Sequence, residues 1–484
     1  MAIYIYNSLS REKEEFKPIK KNNVKIYVCG PTVYDESHIG HARGAFIFDV
    51  IKNYFRYEGF KVKYVRNVTD VDDKIIGKAR ISAGNKGDLK KAVKEIADKY
   101  LKKYAEDMKA LGIEKPDVEP KATEHIKDMM RIINVLLKKD YAYEASGDIY
   151  FRVKNFKNYG KLSHQSLKMM ASGARVHPGE EKEDPLDFAL WKRSKEGEPS
   201  WKSGAIEGRP GWHIECSAMS VKHLGENFDI HGGGIDLIFP HHENEIAQSE
   251  AYSGKKFANY WMHNGLLTIN SQKMAKSLGN YLSISAFLAK YGDSDILKIF
   301  FLTTHYRSPV DFTEENVIAA KAAKERFNIF FSKTDEIISK LPFSPPERVE
   351  LKEGHSVILR DVKEEFVKAM RDDFNTALAM AALFNAVTKG NSAINENEGE
   401  EVEKAVFLKL LTGTIKELGG VLGLTFSEKA ATAEVKDMVE KKLKARDEAR
   451  KSKDYKLADK IRKELYGDGI IIEDTDTGTK WRAR

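Results

Sequence analysis

The run Val24 to Cys29, VKIYVC, is short, apolar and β-branched and stops at Gly30-Pro31, and it constrains the chain more than any other feature. A run of this kind bounded by turn residues predicts a buried strand. Beginning near Ile39, the apolar residues Ala42, Phe46, Ile47, Val50, Ile51 and Tyr54 recur at helical spacing, and Gly59 closes the element. Phe60 to Val65 predicts the next strand. Strand, helix and strand in succession form a βαβ unit, the repeat of parallel sheets whose nucleotide-binding loops lie at the strand ends. The expectation is the first half of a Rossmann-like α/β domain.

At 484 residues the chain exceeds one compact core. The first half of the α/β domain is placed at 1–105. Lys- and Glu-rich amphipathic patterns from about 88 to 140, then the Gly- and Pro-rich surface stretch SGARVHPGEEKEDP, predict an insertion over 106–205. The βα character returns with Phe228 to His231, read as a strand ending at a triple-glycine turn, followed by Pro240 opening the helical pattern HHENEIAQSEAY, so 206–270 is the second half. A loop region at 271–314 leads to helical periodicity over 315–430, expected to be a bundle, and 431–484 predicts a charged helix pair with a hairpin.

No apolar run approaches the roughly 18 residues of a membrane span, and the opening MAIYIYNSLSREKEEF lacks the apolar core of a secretory signal. A soluble, cytoplasmic protein without a membrane partner is expected. A net charge of +7, from 80 basic and 73 acidic side chains, permits a nucleic-acid partner without requiring one. Cys29 and Cys216 are the only cysteines, which excludes a disulfide framework and leaves buried thiols or metal ligands, inert burial being the commoner fate.

Two segments hold groups that suit a phosphate. Pro31 to His41, PTVYDESHIGH, lies between the first strand and its helix. There the helix start offers unpaired N–H groups and partial positive charge, His38 and His41 add imidazole donors, and Gly40 allows close backbone approach. Isolated, such histidines are more often caps or surface residues. In Gln272 to Asn280, QKMAKSLGN, Lys273 and Lys276 stand three apart in a loop. Two ammonium groups so placed can neutralise a triphosphate, although a lone pair of loop lysines usually means solvated surface.

Together, HIGH at 38–41 and KMAKS at 273–277 resemble the paired motifs of class I aminoacyl-tRNA synthetases. The strings CGPTVYDESHIGHAR, NVTDVDDKII, DFALWK, GRPGWHIECSAMS and DIHGGGIDLIFPHHENEIAQSE narrow the resemblance to the cysteinyl-tRNA synthetases, and it continues through DDFNTALAMAALF to the closing GTKWR. The resemblance implies a class I synthetase catalytic domain with an inserted connective domain, an α-helical bundle and a small mixed anticodon-binding module. It implies activation of L-cysteine with ATP, accompanied by Mg2+, transfer to cysteine tRNA, and a monomer.

It also gives both cysteines a role, since Cys29, Cys216, His241 and Glu245 stand where the family holds zinc. The i, i+4 spacing of His241 and Glu245 puts them on one helix face, and mixed S, N and O ligation suits zinc. His242 and Glu243 remain adjacent alternatives. By the same resemblance Cys29 and Trp212 wall the amino-acid pocket and His231 contacts substrate, while Thr32, His38, Gly40, His41, Gly234, Asp236, Lys273 and Lys276 contact ATP, Asp236 at the ribose. Zinc ligation would separate cysteine from serine, because sulfur is the softer ligand and loses its proton more readily. The sequence departs from the family's usual KMSKS at Ala275, and its SWKSGAIEGRPGW differs from the usual stretch before Trp212. Two rival readings are a ligase joining cysteine to an amino sugar, against which a long C-terminal region speaks, and an inactive paralogue, against which the intact motifs speak.

Overall fold

The computed structural model describes residues 2–84, 88–166, 170, 181–203, 206–274, 278–341, 349–396, 400–426, 433–468, 470–475 and 478–483. They divide into two compact units, Met1–Thr425 and Phe426–Arg484.

The first unit is organised around a four-stranded parallel sheet, ordered Ala258–Asn264, Phe228–Gly234, Asn23–Val28, Lys61–Arg66. The chain leaves Asn23–Val28 to one side and returns on the other, so a topological switch lies between the two central strands, where α/β sheets open a ligand crevice at the carboxyl ends. Helix Ile39–Tyr57 makes the first crossover and buries all six residues of its predicted apolar stripe. It also buries Lys52, whose Nζ donates to Asp49 (2.5 Å) and Glu114 (2.8 Å). An apolar-periodicity argument cannot register that buried charged pair.

The triple glycine differs from its expected form. Gly232, Gly233 and Gly234 continue the strand, pairing with Met262, His263 and Asn264 rather than turning. A Cβ on Gly232 would fall 2.3 Å from the Phe48 ring of the crossover helix, so glycine here allows close helix-to-sheet packing. Pro240 likewise precedes its helix instead of opening it: Ile238–His242 forms a wide turn, and the regular helix is Glu243–Ser253.

A five-stranded antiparallel sheet, ordered 142–145, 148–151, 188–193, 206–210, 201–203, makes the insertion with helix Ile126–Lys138. Strand Ile206–Pro210, assigned above to the second catalytic half, is hydrogen-bonded into this sheet. Ile132, Ile133 and Leu136 of the insertion share one buried cluster with Ile214, Cys216 and Trp261 of the catalytic half. Burial against a common core thus fixes the insertion relative to the sheet that it interrupts.

Beyond Val310–Phe312 the unit is helical: Glu314–Ser339, Glu353–Arg371, Thr376–Asn395 and Glu401–Val421. Within the helical periodicity of 315–430, Glu353–Arg371 and Thr376–Asn395 are separate helices because Asp373 (φ +58°) and Phe374 (φ +48°) are left-handed. Asp373 is fully buried there and accepts from Tyr6 N (2.8 Å), the Tyr306 hydroxyl (2.8 Å) and Arg307 Nε (2.7 Å). Tyr6 belongs to an N-terminal hairpin, Tyr4–Asn7 with Glu12–Glu15, that the sequence reading did not anticipate.

In the second unit, helices Ala433–Lys451 and Tyr455–Gly467 and the hairpin Ile470–Thr475 with Gly478–Ala483 enclose Val439, Ile461, Leu465, Ile470 and Ile472. Among the described residues no helix is long and apolar enough to cross a membrane.

Candidate active site

The expected metal ligands arrive on three elements. Cys29 follows the central strand Asn23–Val28, and its N–H donates to Gly232 O across the switch point (3.1 Å). Cys216 projects from helix Trp212–Leu224, while His241 and Glu245 flank the start of helix Glu243–Ser253. Their donor atoms converge: Sγ to Sγ is 3.6 Å, Cys29 Sγ to Glu245 Oε1 is 3.3 Å, and His241 Nε2 to Glu245 Oε1 is 3.1 Å. A tetrahedral ion with Zn–S bonds of about 2.3 Å requires sulfurs about 3.7 Å apart, so the quartet already has the spacing that zinc needs.

The electrostatics agree. Desolvation, reinforced by Cys216 and Glu245, holds the Cys29 thiol well above its ordinary pKa, and burial raises Cys216. Burial pushes His241 well below its ordinary value, leaving the neutral imidazole that can ligate. Potential anions gathered in so dry a place call for a cation to take the thiol protons' place.

A second grouping, Cys29, His231, His242 and Glu245, is also close enough to surround an ion. It contains one thiol fewer, and His231 Nε2 is engaged with Glu245 Oε2 (2.8 Å), so the first quartet fits zinc better. Glu243 belongs to neither, because its Oε2 accepts from the N–H groups of Leu162 (3.1 Å) and Ser163 (2.7 Å). Around the quartet, His231 is fully buried with its ring stacked on Trp261, and Trp212, 39% exposed, stacks over His241 with ring centres 4.1 Å apart.

The HIGH segment forms a reciprocal cap. His38 Nδ1 accepts from the N–H groups of Gly40 (3.1 Å) and His41 (3.4 Å), and His41 Nδ1 accepts from His38 N–H (3.4 Å). Acceptance at Nδ1 puts the proton of each neutral ring on Nε2, making both imidazoles Nε2–H donors. Gly40 is required by this arrangement, since a Cβ would meet the His38 ring at 2.9 Å. Thr32, opposite Thr69 in a parallel bridge, lines with His38, His41, Tyr34, Tyr100 and Tyr281 a cleft of about 360 Å³. Met274 reaches that cleft from the KMAKS side, and its neighbour Lys273 is exposed at the end of the short strand Gln272–Lys273. Ala275 and Lys276 lie outside the described residues. Gly234 ends the second central strand, and the exposed Asp236 folds its carboxylate back over it.

This chain matches, over residues 15–322, the family described as "tRNA synthetases class I (C) catalytic domain". Residues 365–427 match the DALR domain and 432–482 the "Cysteinyl-tRNA ligase anticodon binding domain". It is 48% identical to the cysteine–tRNA ligase of Thermodesulfovibrio yellowstonii, with 99% of each chain covered. It is 47% identical to that of Carboxydothermus hydrogenoformans, again with 99% of each covered. The chain belongs to the cysteine–tRNA ligase family.

The likeness in fold reaches wider than this ligase family. A Mycobacterium tuberculosis methionyl-tRNA synthetase in complex with methionyl-adenylate superposes with a TM-score of 0.63 at 14% identity, covering 83% of this chain and 90% of that one. Thermus thermophilus arginyl-tRNA synthetase gives 0.55 at 13% identity, covering 87% and 84%.

Within this ligase-family site, three residues escaped the sequence reading. Asn67 Oδ1 accepts from Gly30 N–H (2.9 Å) and lies 3.6 Å from Cys216 Sγ. Thr69 donates to the buried Glu215 (2.7 Å), whose carboxyl burial raises well above the usual range. Their only signal was membership in the strings NVTDVDDKII and GRPGWHIECSAMS, where no periodicity distinguishes them.

Proposed function

We propose that this chain activates L-cysteine with ATP to cysteinyl-adenylate and transfers the cysteinyl group to the 3′ end of cysteine tRNA, acting as a monomer in the cytoplasm. The observation that carries the reading is the quartet of Cys29, half-buried, with the buried Cys216, His241 and Glu245 at the switch point, together with the HIGH cleft, on a chain that matches the family over 99% of its length.

Cys29, Cys216, His241 and Glu245 would hold zinc, which supplies a soft Lewis acid that prefers a thiol to a hydroxyl. Trp212 walls the amino-acid pocket from the helix start that leads to Cys216. His231 acts on the ligand set by orienting Glu245 through its 2.8 Å hydrogen bond. The cysteine carboxylate attacks the α-phosphorus of ATP, the α–β bridging bond breaks, and pyrophosphate leaves with its electron pair; Mg2+ accompanying the nucleotide would supply further charge neutralisation. A terminal ribose hydroxyl of the tRNA then attacks the adenylate carbonyl, the bond from the carbonyl carbon to the phosphate oxygen breaks, and AMP leaves with that electron pair, its phosphate taking the hydroxyl proton. No side chain of the protein forms a covalent bond in this sequence. His38 and His41 as Nε2–H donors, the helix start at Gly40, and Lys273 with Lys276 stabilise the phosphate charge; Thr32 borders the same cleft, while Gly234 and Asp236 take the ribose.

Cysteine-dependent ATP–pyrophosphate exchange, run in parallel with serine on protein of measured zinc content, tests the reading. Exchange with cysteine alone is the expected result; no exchange in zinc-loaded protein would overturn it. The role of His231 has its own test. His231→Ala is expected to weaken zinc about 10- to 100-fold in a chelator competition, because Glu245 loses the partner of its second oxygen.

A further inference from the structure

Both limbs of the loop that carries Lys273 are fastened to the segment that carries His38 and His41. On the outgoing limb the fastener is Arg43, two residues past His41 and fully buried. Its Nη1 donates to the carbonyls of Gly265 (2.7 Å) and Leu266 (2.8 Å), and its Nη2 to those of Ser308 (2.6 Å) and Tyr306 (3.3 Å). From there the chain enters strand Leu267–Ile269, which pairs in parallel with Val310–Phe312 and antiparallel with Gln272–Lys273. Asp311 accepts from the Thr268 hydroxyl (2.7 Å) and Ser271 N–H (2.8 Å), closing this base.

The return limb starts where Asn280 Nδ2 donates to Lys273 O (3.1 Å), joining the two ends of the loop. Tyr281 follows, with its hydroxyl donating to Glu36 O and its ring standing edge-on to His38, centres 5.6 Å apart at 88°. Two backbone bonds continue the seam: Ile39 N–H to Leu282 O (3.2 Å) and Ile284 N–H to Ser37 O (3.1 Å).

We propose that Arg43 and Tyr281 are positioning residues that set the register of Lys273 against His38 and His41 across the triphosphate of ATP. The inference rests on the functional reading above. Packing alone would be served at lower cost by an apolar side chain, because Arg43 buries a full charge against neutral carbonyls and, among the described residues, pairs with no carboxylate. Burial accordingly lowers its pKa to about 10. What the guanidinium adds is direction: a planar fork holds the approach to the loop and the 306–308 segment in one fixed relation to the HIGH helix. Tyr281 adds a bond to the backbone two residues before His38, so a shift of the return limb also moves the capping imidazole.

The test compares Tyr281→Phe, Tyr281→Ala and Arg43→Lys with the wild type. It measures cysteine-dependent exchange with each substrate varied, direct ATP binding by calorimetry, zinc content and thermal midpoint. Tyr281→Phe, losing one hydrogen bond, is expected to lower kcat/KM for ATP about three- to tenfold. Tyr281→Ala and Arg43→Lys are expected to lower it about a hundredfold, with KM for cysteine and zinc content unchanged. Unaltered ATP parameters in both Tyr281 variants, or equal losses for ATP and cysteine, would overturn the proposal. If Arg43→Lys does not fold, the Tyr281 pair decides. A wild type that binds ATP more tightly than its variants yet gives no exchange would sink the functional reading and keep the positioning role of Arg43 and Tyr281; a wild type that binds no ATP would sink both.

Discussion

Cys216→Ser is expected to leave a folded protein that retains little zinc and has lost cysteine-dependent ATP–pyrophosphate exchange. Cys216 sits on a helix whose neighbours Ile214, Ala218 and Met219 are buried, so an oxygen replacing sulfur leaves the packing nearly unchanged. The donor set is another matter. With Cys216 gone, the remaining three ligands keep a single soft atom, and the hydroxyl of serine does not ionise near neutral pH as a metal-bound thiol does. Losing a hydrogen-bonded supporter of a ligand typically costs about 10- to 100-fold in metal affinity, and losing the ligand itself is expected to cost more. Zinc analysis after dialysis against a weak chelator, with exchange assays on the same sample, checks both halves. Retained zinc with lost exchange would place the defect in cysteine binding; retained zinc with full exchange would remove Cys216 from the site.

Gly30→Ala is expected to produce the largest loss of stability. A Cβ at Gly30 would fall 1.7 Å from Asn67 O, a backbone atom that no rotamer change can move aside. The same pair is bonded through Gly30 N–H and Asn67 Oδ1 (2.9 Å), so relief of the clash breaks that bond and shifts the end of the central strand where Cys29 stands. Overpacking of this kind costs about 3 kcal/mol. The expected readout is a lower thermal midpoint, followed by circular dichroism, together with weakened zinc binding, since Cys29 adjoins Gly30 in the chain and Cys216 Sγ lies 3.6 Å from Asn67 Oδ1. A variant as stable as the wild type would mean that the strand end at Gly30 yields more readily than the packing around it suggests.

Much of the site was legible because its chemistry is local. His38, Gly40 and His41 fall in one short segment after a strand, and His241 and Glu245 lie one helical turn apart, so spacing agrees with the two groups that the resemblance marks. The ambiguity among His241, His242 and Glu243 was different. Side chains adjacent in sequence point to different sides of a helix start, and the wide turn at Ile238–His242 alters the phase that a regular helix would assign. Only the observed directions separate Glu243, facing Leu162 and Ser163, from Glu245, facing the thiols.

The glycine run shows the same limit. Gly232 to Gly234 reads as a turn because glycine is rare within strands, yet the strand needs it where Phe48 approaches. Strand Ile206–Pro210 falls inside the span 206–270 read as the second catalytic half, yet it pairs with Phe188–Arg193 and Trp201–Ser203 of the insertion; a strand this short carries no periodicity that tells which sheet it joins. Likewise, the buried roles of Arg43 and Asp373 have no local signal, because their partners come from segments that only folding brings near.

By itself, the sequence determined the βαβ frame and the helical region beyond about 315, since periodicity acts over a few residues at a time, while the candidate site residues came from motifs that each lie within one short segment. The tertiary structure alone decided which thiol meets which carboxylate, where the glycines bear on an aromatic ring and how the lysine loop is tied to the histidine cap. Those are long-range contacts, and their energies depend on the packing of elements whose sequences carry no record of one another.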